Sequence, residues 1–172
     1  QLLAIVLATR FRKPIPIILG ILVATLANHF LAALLGAQAA AFLCASWFTY
    51  LIAASFIVMG FWTLIPDKLD DDEAPSASRF GAFTATLIAF FLVEMGDKTQ
   101  LATIALGARF QDVIPVTAGT TLGMLIANVP AVLLGHELIK RIPLNIVRMI
   151  AAGVFILIGC WMLADTAGLF SQ

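Results

Sequence analysis

From Pro14 to Pro66 the chain runs for 53 residues without a single Lys, Arg, Asp or Glu. That is more than twice the roughly 20 apolar residues needed to cross a bilayer. A run of this length cannot be the solvated surface of a globule, so it must cross a membrane more than once. The rest of the chain agrees: 62% of its 172 residues are apolar and 12% charged, against about 25% charged in ordinary soluble domains. Ten basic residues balance ten acidic ones, so no net field exists to recruit nucleic acid, and nucleic-acid binding has no support. Cys44 and Cys160 lie far apart inside apolar segments and form neither a C-x-x-C unit nor a disulfide framework, which reads as inert packing.

Turn signals divide the chain into spans at Pro14–Gly36, Cys44–Ile65, Phe80–Arg109, Val113–Gly135 and about Pro143–Ala164. Gly36-Ala-Gln, Gln111-Asp112 and His136-Glu137 separate neighbours. The polar run from Asp67 to Ser78, with four Asp and one Glu, reads as a solvated loop. The apolar stretch Leu2–Ala8 is too short to span before Arg10, Arg12 and Lys13. Its charges follow it, which does not suit a signal peptide, so it reads as the tail of a helix that starts upstream.

Sliding the sequence by 99 positions superposes Gln1–Gly36 on Gln100–Gly135 without a gap, with 14 of 36 residues identical. The same offset places Gly60 on Gly159 and Trp62 on Trp161. The expected fold is therefore an all-α integral membrane protein of two three-helix repeats, the first helix of repeat 1 largely missing from this chain. Residues 1–66 form the first repeat, 67–79 the acidic loop and 80–172 the second repeat. Three crossings per repeat turn the second copy upside down, the inverted plan of many secondary transporters. With six spans, Arg10, Arg12, Lys13, Lys68, Arg79, Lys140 and Arg141 collect on one face and Arg109 alone on the other. The positive-inside rule puts the first face, acidic loop included, in the cytoplasm.

One span carries ionisable groups in its middle, Glu94-Met-Gly-Asp97-Lys98-Thr99-Gln100. Read as a single helix of roughly 45 Å from Phe80 to Arg109, it sets Glu94 roughly 21 Å and Asp97 roughly 25 Å from its start, at membrane depth and on one face. A charge there costs on the order of 2.5–3.5 kcal/mol and needs a partner or a wet cavity. A Glu94–Lys98 ion pair that merely joins helices leaves Asp97 unexplained, so an ion site is the better reading, with Gly96 allowing close approach. On the following span Thr117, Thr121 and Asn128 share a face. Pro130, two residues on, frees a backbone carbonyl. Thr25, Asn28 and His29 form the thinner equivalent in the first repeat. Close helix packing is expected at Gly119-x-x-x-Gly123 and at Gly20-x-x-x-Ala24. His29 and His136 read as structural or solvated, and Trp47, Trp62 and Trp161 as interface anchors or packing. No nucleophile with a base, phosphate loop or zinc spacing is present, so catalysis is not supported.

E-M-G-D-K-T-Q at 94–100, with AGTTLGMLIANVPAVLLG at 118–135, resembles the Gdt family of membrane cation/proton exchangers, which includes bacterial manganese exporters and Golgi manganese/calcium transporters. The family signature E-x-G-D-[KR]-[TS] occurs once in each of two inverted three-helix repeats. Here Gln1 matches the Gln that follows the first copy. The resemblance implies Glu94 and Asp97 as cation ligands. Gln100, Asn128 and Gln1 are further oxygen donors, and Lys98, Thr99, Thr121 and Asn28 support them. It also implies Mn2+ or Ca2+ as transported ion, protons as counter-substrate, no permanent cofactor, and a multi-pass place in the bacterial inner membrane. Oxygen donors suit such hard ions, and the lack of Cys or a His cluster argues against Zn2+ and Cu+. An exporter of amino acids with similar LysE-like halves and a non-transporting membrane subunit are the alternatives. A homo-oligomer is compatible with either.

Overall fold

The computed structural model describes residues 1–42, 46–65, 81–134 and 144–168. They form seven helices and no strand: α1 Leu2–Phe11, α2 Pro14–Phe42, α3 Ser46–Thr63, α4 Ala82–Glu94, α5 Lys98–Phe110, α6 Val113–Leu134 and α7 Leu144–Thr166. Three stretches are long and apolar enough to cross a membrane, Pro14–Ala41, Val113–Leu134 and Arg148–Thr166, and Trp47–Thr63 and Ala82–Glu94 are shorter apolar helices. The chain is an all-α membrane protein. Its outer surface carries large apolar side chains such as Ile15, Leu35, Val58, Leu92, Ile126 and Leu157, as a surface bathed in lipid requires.

The helix ends follow the 99-residue offset. Arg12 and Gln111 are the two non-glycine residues with positive φ among those described, at 52° and 53°. Each closes the helix before it through its N–H, to Ala8 O and to Gly107 O respectively. This is the left-handed cap that commonly ends a helix. α2 and α6 then begin at equivalent positions, Pro14 and Val113.

Two sequence expectations about packing are corrected. The turn expected at Gly36-Ala-Gln does not form, because α2 continues to Phe42. Gly36 instead lets α2 meet the backbone of α5, where a Cβ would collide with the carbonyl of Ile104, and Gly107 of α5 meets the backbone of Ala33 in return. Close packing at Gly119 and Gly123 does not occur either, since nothing lies within 4 Å of a Cβ built at either position. Gly20 does make the close approach expected of it, with Thr86 Cβ 2.8 Å from such a Cβ. Cys160, expected to be packed, is an exposed thiol on α7. Cys44, His136 and the acidic loop lie outside the described residues.

Two apolar cores result. One joins α1, α2, α4 and α6 around Leu7, Ile17, Ile21 and Phe90. The other joins α2, α3, α5 and α7 around Ile52, Phe56, Ala105 and Met162. α2 belongs to both, and residues Thr25 to His29 in its middle are flanked by them. Arg109 ties the far end of α5 to α7 through Asp165 at 3.2 Å, with Trp161 beside its guanidinium.

Candidate functional site

The span expected to be one continuous helix from Phe80 to Arg109 is two helices. α4 stops at Glu94 and α5 starts at Lys98, each 13 residues and so about 20 Å long. Glu94 and Asp97 therefore do not share a helical face. Gly96 makes the break: its φ of +90° lies where a side chain is disfavoured. Nothing crowds its Cα, so the glycine serves the turn and not the close approach expected of it.

Asp97 is the N-cap of α5. One carboxylate oxygen accepts from Lys98 N–H at 2.6 Å and the other from the Thr99 hydroxyl at 2.9 Å. Gln100, three residues on, accepts from Gly96 N–H at 2.6 Å. The sequence signal for this break was present in D-K-T-Q, an Asp followed three places later by Gln, which is the spacing of a capping box. The break puts the carbonyl end of α4 and the N–H end of α5 at the same depth. In a broken membrane helix such ends are ready-made ion ligands.

Glu94 is buried, and its Oε1 accepts from the Thr25 hydroxyl of α2 at 3.1 Å. Asn28, one turn on, donates to Phe91 O of α4 at 3.0 Å. Glu94 Oε2 has no hydrogen-bond partner. Thr25 is the residue that sequence reasoning left out of the site, although it stands in the same stripe as Asn28.

From α6, Asn128 is buried with its Nδ2 on Met124 O at 3.1 Å, while its Oδ1 is unpartnered. Gln1 Nε2 donates to Ala127 O at 3.2 Å, beside Asn128. Thr117 and Thr121 are buried with unpartnered hydroxyl oxygens. Lys98 reaches the end of α3, with Nζ 3.1 Å from Ile65 O and 5.3 Å from the Trp62 ring centre. Among the described residues no three of His, Cys, Asp and Glu come close enough together to hold a metal ion. The structure thus brings Thr25 and Asn28 to Glu94, gathers Thr99 and Gln100 on Asp97, and sets Gln1 beside Asn128. An open groove of about 470 Å³ between α2 and α6, lined by Val23, Leu26, Phe30 and Ile114, is apolar and offers a cation nothing.

A family model described as "Divalent cation/proton antiporter GDT1" matches residues 1–71 and 82–169. A protein of Vibrio cholerae named "Putative manganese exporter" is 52% identical over 158 residues, covering 91% of this chain and 78% of its own length. "GDT1-like protein 3" of indica rice is 33% identical over 99 residues, 54% of this chain and 35% of that protein. A GDT1-like protein of Schizosaccharomyces pombe is 30% identical over 78 residues, 45% of this chain and 29% of its own. No solved structure gives a significant match.

Proposed function

Because the chain belongs to the GDT1 family of divalent cation/proton antiporters, transporters and not enzymes, we propose that it exports Mn2+ from the cytoplasm in exchange for protons. Glu94 and Asp97 are the charged ligands in this reading, with the oxygens of Gln100, Asn128 and Gln1 completing the set. Thr99 and Thr121 support them, Asn28 steadies the end of α4, and Lys98 balances part of the charge. The observation that carries the reading is the break at Met95–Asp97, which holds a buried carboxylate with one free oxygen next to an exposed helix end.

A carboxylate at membrane depth is tolerated when a proton or a cation neutralises it. Exchange of the two cargoes at the same oxygens keeps the site neutral on both strokes. Residues 1–66 and 80–172 act as the two inverted halves, rocking so that the site opens to one side at a time. The resemblance to the Vibrio protein favours Mn2+ over Ca2+, and a bacterial inner membrane with the acidic loop in the cytoplasm as the setting.

The test is Mn2+ uptake into inverted membrane vesicles by Glu94→Gln and Asp97→Asn. Each change removes a ligand charge at nearly constant volume, so both proteins should insert normally and transport nothing. Uptake at the unmutated rate in both would overturn the site.

A further inference from the structure

We propose that His29 supplies a nitrogen ligand to the transported cation and thereby sets the preference for Mn2+ over Ca2+ and Mg2+; this rests on the reading of the chain as a Mn2+ exporter. His29 was expected to be structural or solvated. It is 1% exposed, and its Nδ1 has no hydrogen-bond partner. A buried polar atom left unpaired costs free energy, and a merely structural histidine would have the partner that its neighbours found. Thr25 and Asn28 on the same helix found theirs, on Glu94 and Phe91.

Its position is fixed from both sides. Thr25, His29 and Ala33 follow at steps of four and so share a face of α2. Thr25 meets Glu94 at the end of α4, and Ala33 meets Gly107 on α5. His29 is therefore level with the break between them, and the charge of Asp97 acts on it. The 99-residue offset adds a second observation: the position equivalent to His29 is Asn128, equally buried and also with one unpartnered atom, Oδ1. Two symmetry-equivalent side chains, one on α2 and one on α6, each keep a free donor atom for something absent from the described residues. One atom is an amide oxygen and the other an imidazole nitrogen, which carries a lone pair when the proton is on Nε2.

That difference carries the selectivity. Ca2+ and Mg2+ take oxygen ligands, whereas transition metals accept imidazole. An all-oxygen site of Glu94, Asp97 and amides would not separate Mn2+ from Ca2+ by ligand type. One imidazole among the oxygens does.

The experiment is pulsed electron paramagnetic resonance on the full chain in lipid nanodiscs loaded with Mn2+ alone. A coordinated imidazole modulates the Mn2+ echo through its nitrogen-14 nucleus. The chain contains two histidines, so His136→Gln assigns the signal even if His29 variants fold poorly: the modulation should persist there. In His29→Gln, Mn2+ should bind without it, and the preference for Mn2+ over Ca2+ in competition should fall at least about tenfold. Bound Mn2+ without nitrogen modulation in the unmutated chain, modulation lost in His136→Gln, or unchanged competition in His29→Gln overturns the role of His29 and leaves the export reading standing. No Mn2+ binding at all overturns both.

Discussion

Gly60 and Gly159 make the same contact with each other's helix. A Cβ on Gly60 would lie 2.6 Å from Ile156 Cγ1 and 3.1 Å from Ala152 O, and one on Gly159 would lie 2.6 Å from Ile57 Cγ1 and 2.9 Å from Ala53 O. Each residue in the first set is the second set's counterpart 99 positions along. The position of these contacts moves down α7 as it moves up α3, so the two helices run antiparallel about a local two-fold axis. In lipid there is little hydrophobic drive between helices, and close approach at small residues supplies the packing energy.

Val at either glycine should therefore destabilise the protein, and by similar amounts. Overpacking of this kind costs about 1–3 kcal/mol. Thermal unfolding in detergent micelles should show Gly60→Val and Gly159→Val melting well below the unmutated chain, with Gly119→Val and Gly123→Val close to it. Equal losses at all four positions would mean that small-residue spacing matters and these particular contacts do not.

Gly96→Ala should separate folding from transport. No atom lies within 4 Å of the added methyl, so the change acts only through the backbone, where a positive φ of +90° costs a side chain roughly 1–3 kcal/mol. The chain can relieve that strain by extending α4 through the break, which moves Asp97 off the N-terminus of α5. Mn2+ uptake by vesicles should fall about tenfold or more at unchanged protein level. A full rate would show that the bend at Gly96 is dispensable.

The same break shows what sequence could and could not reveal. Hydropathy located every described span, because burial in lipid depends on side-chain type alone. It could not separate α4 from α5, since Ala82–Glu94 and Lys98–Phe110 are each short and their apolar residues run on across the turn. Only the capping pattern from Asp97 to Gln100 marks the start of a new helix, and it is masked by the reading of the same residues as ligands. The burial of Glu94, Asn128 and Thr121 was legible from their spacing. Glycine spacing misled at Gly119 and Gly123, because a small residue permits close approach without saying whether a neighbour takes it up. The partner of Glu94 was not legible: Thr25 and Glu94 are 69 positions apart, and only the crossing of α2 with α4 joins them.

Sidedness is testable at the acidic loop. A Cys placed at Ser76 should react with an impermeant maleimide in opened cells and not in intact ones, given the basic residues gathered on that face. Labelling of intact cells would reverse the topology. Replacing Asp67–Glu73 with a neutral linker of equal length should leave Mn2+ uptake within about twofold, since a run of like charges reads as a solvated face.

Coupling has a definite sign. In inverted vesicles the cytoplasmic face points outward, so export appears as Mn2+ uptake, and each Mn2+ that enters must be matched by protons leaving the lumen. An acid lumen should therefore drive uptake, and addition of Mn2+ to vesicles without an imposed gradient should make the lumen more alkaline. Protons and Mn2+ compete for the same oxygens, so acidifying the outer medium alone should raise the KM for Mn2+ and leave the maximal rate less affected. Glu94→Gln presents an amide that neither binds a proton nor supplies charge, so it should show neither the alkalinisation nor the pH-dependent KM. The measurements are a lumenal pH dye and Mn2+ flux in sodium-free buffer. Flux unchanged when the pH gradient is collapsed, with no proton movement on adding Mn2+, would mean that Mn2+ does not exchange for protons at Glu94.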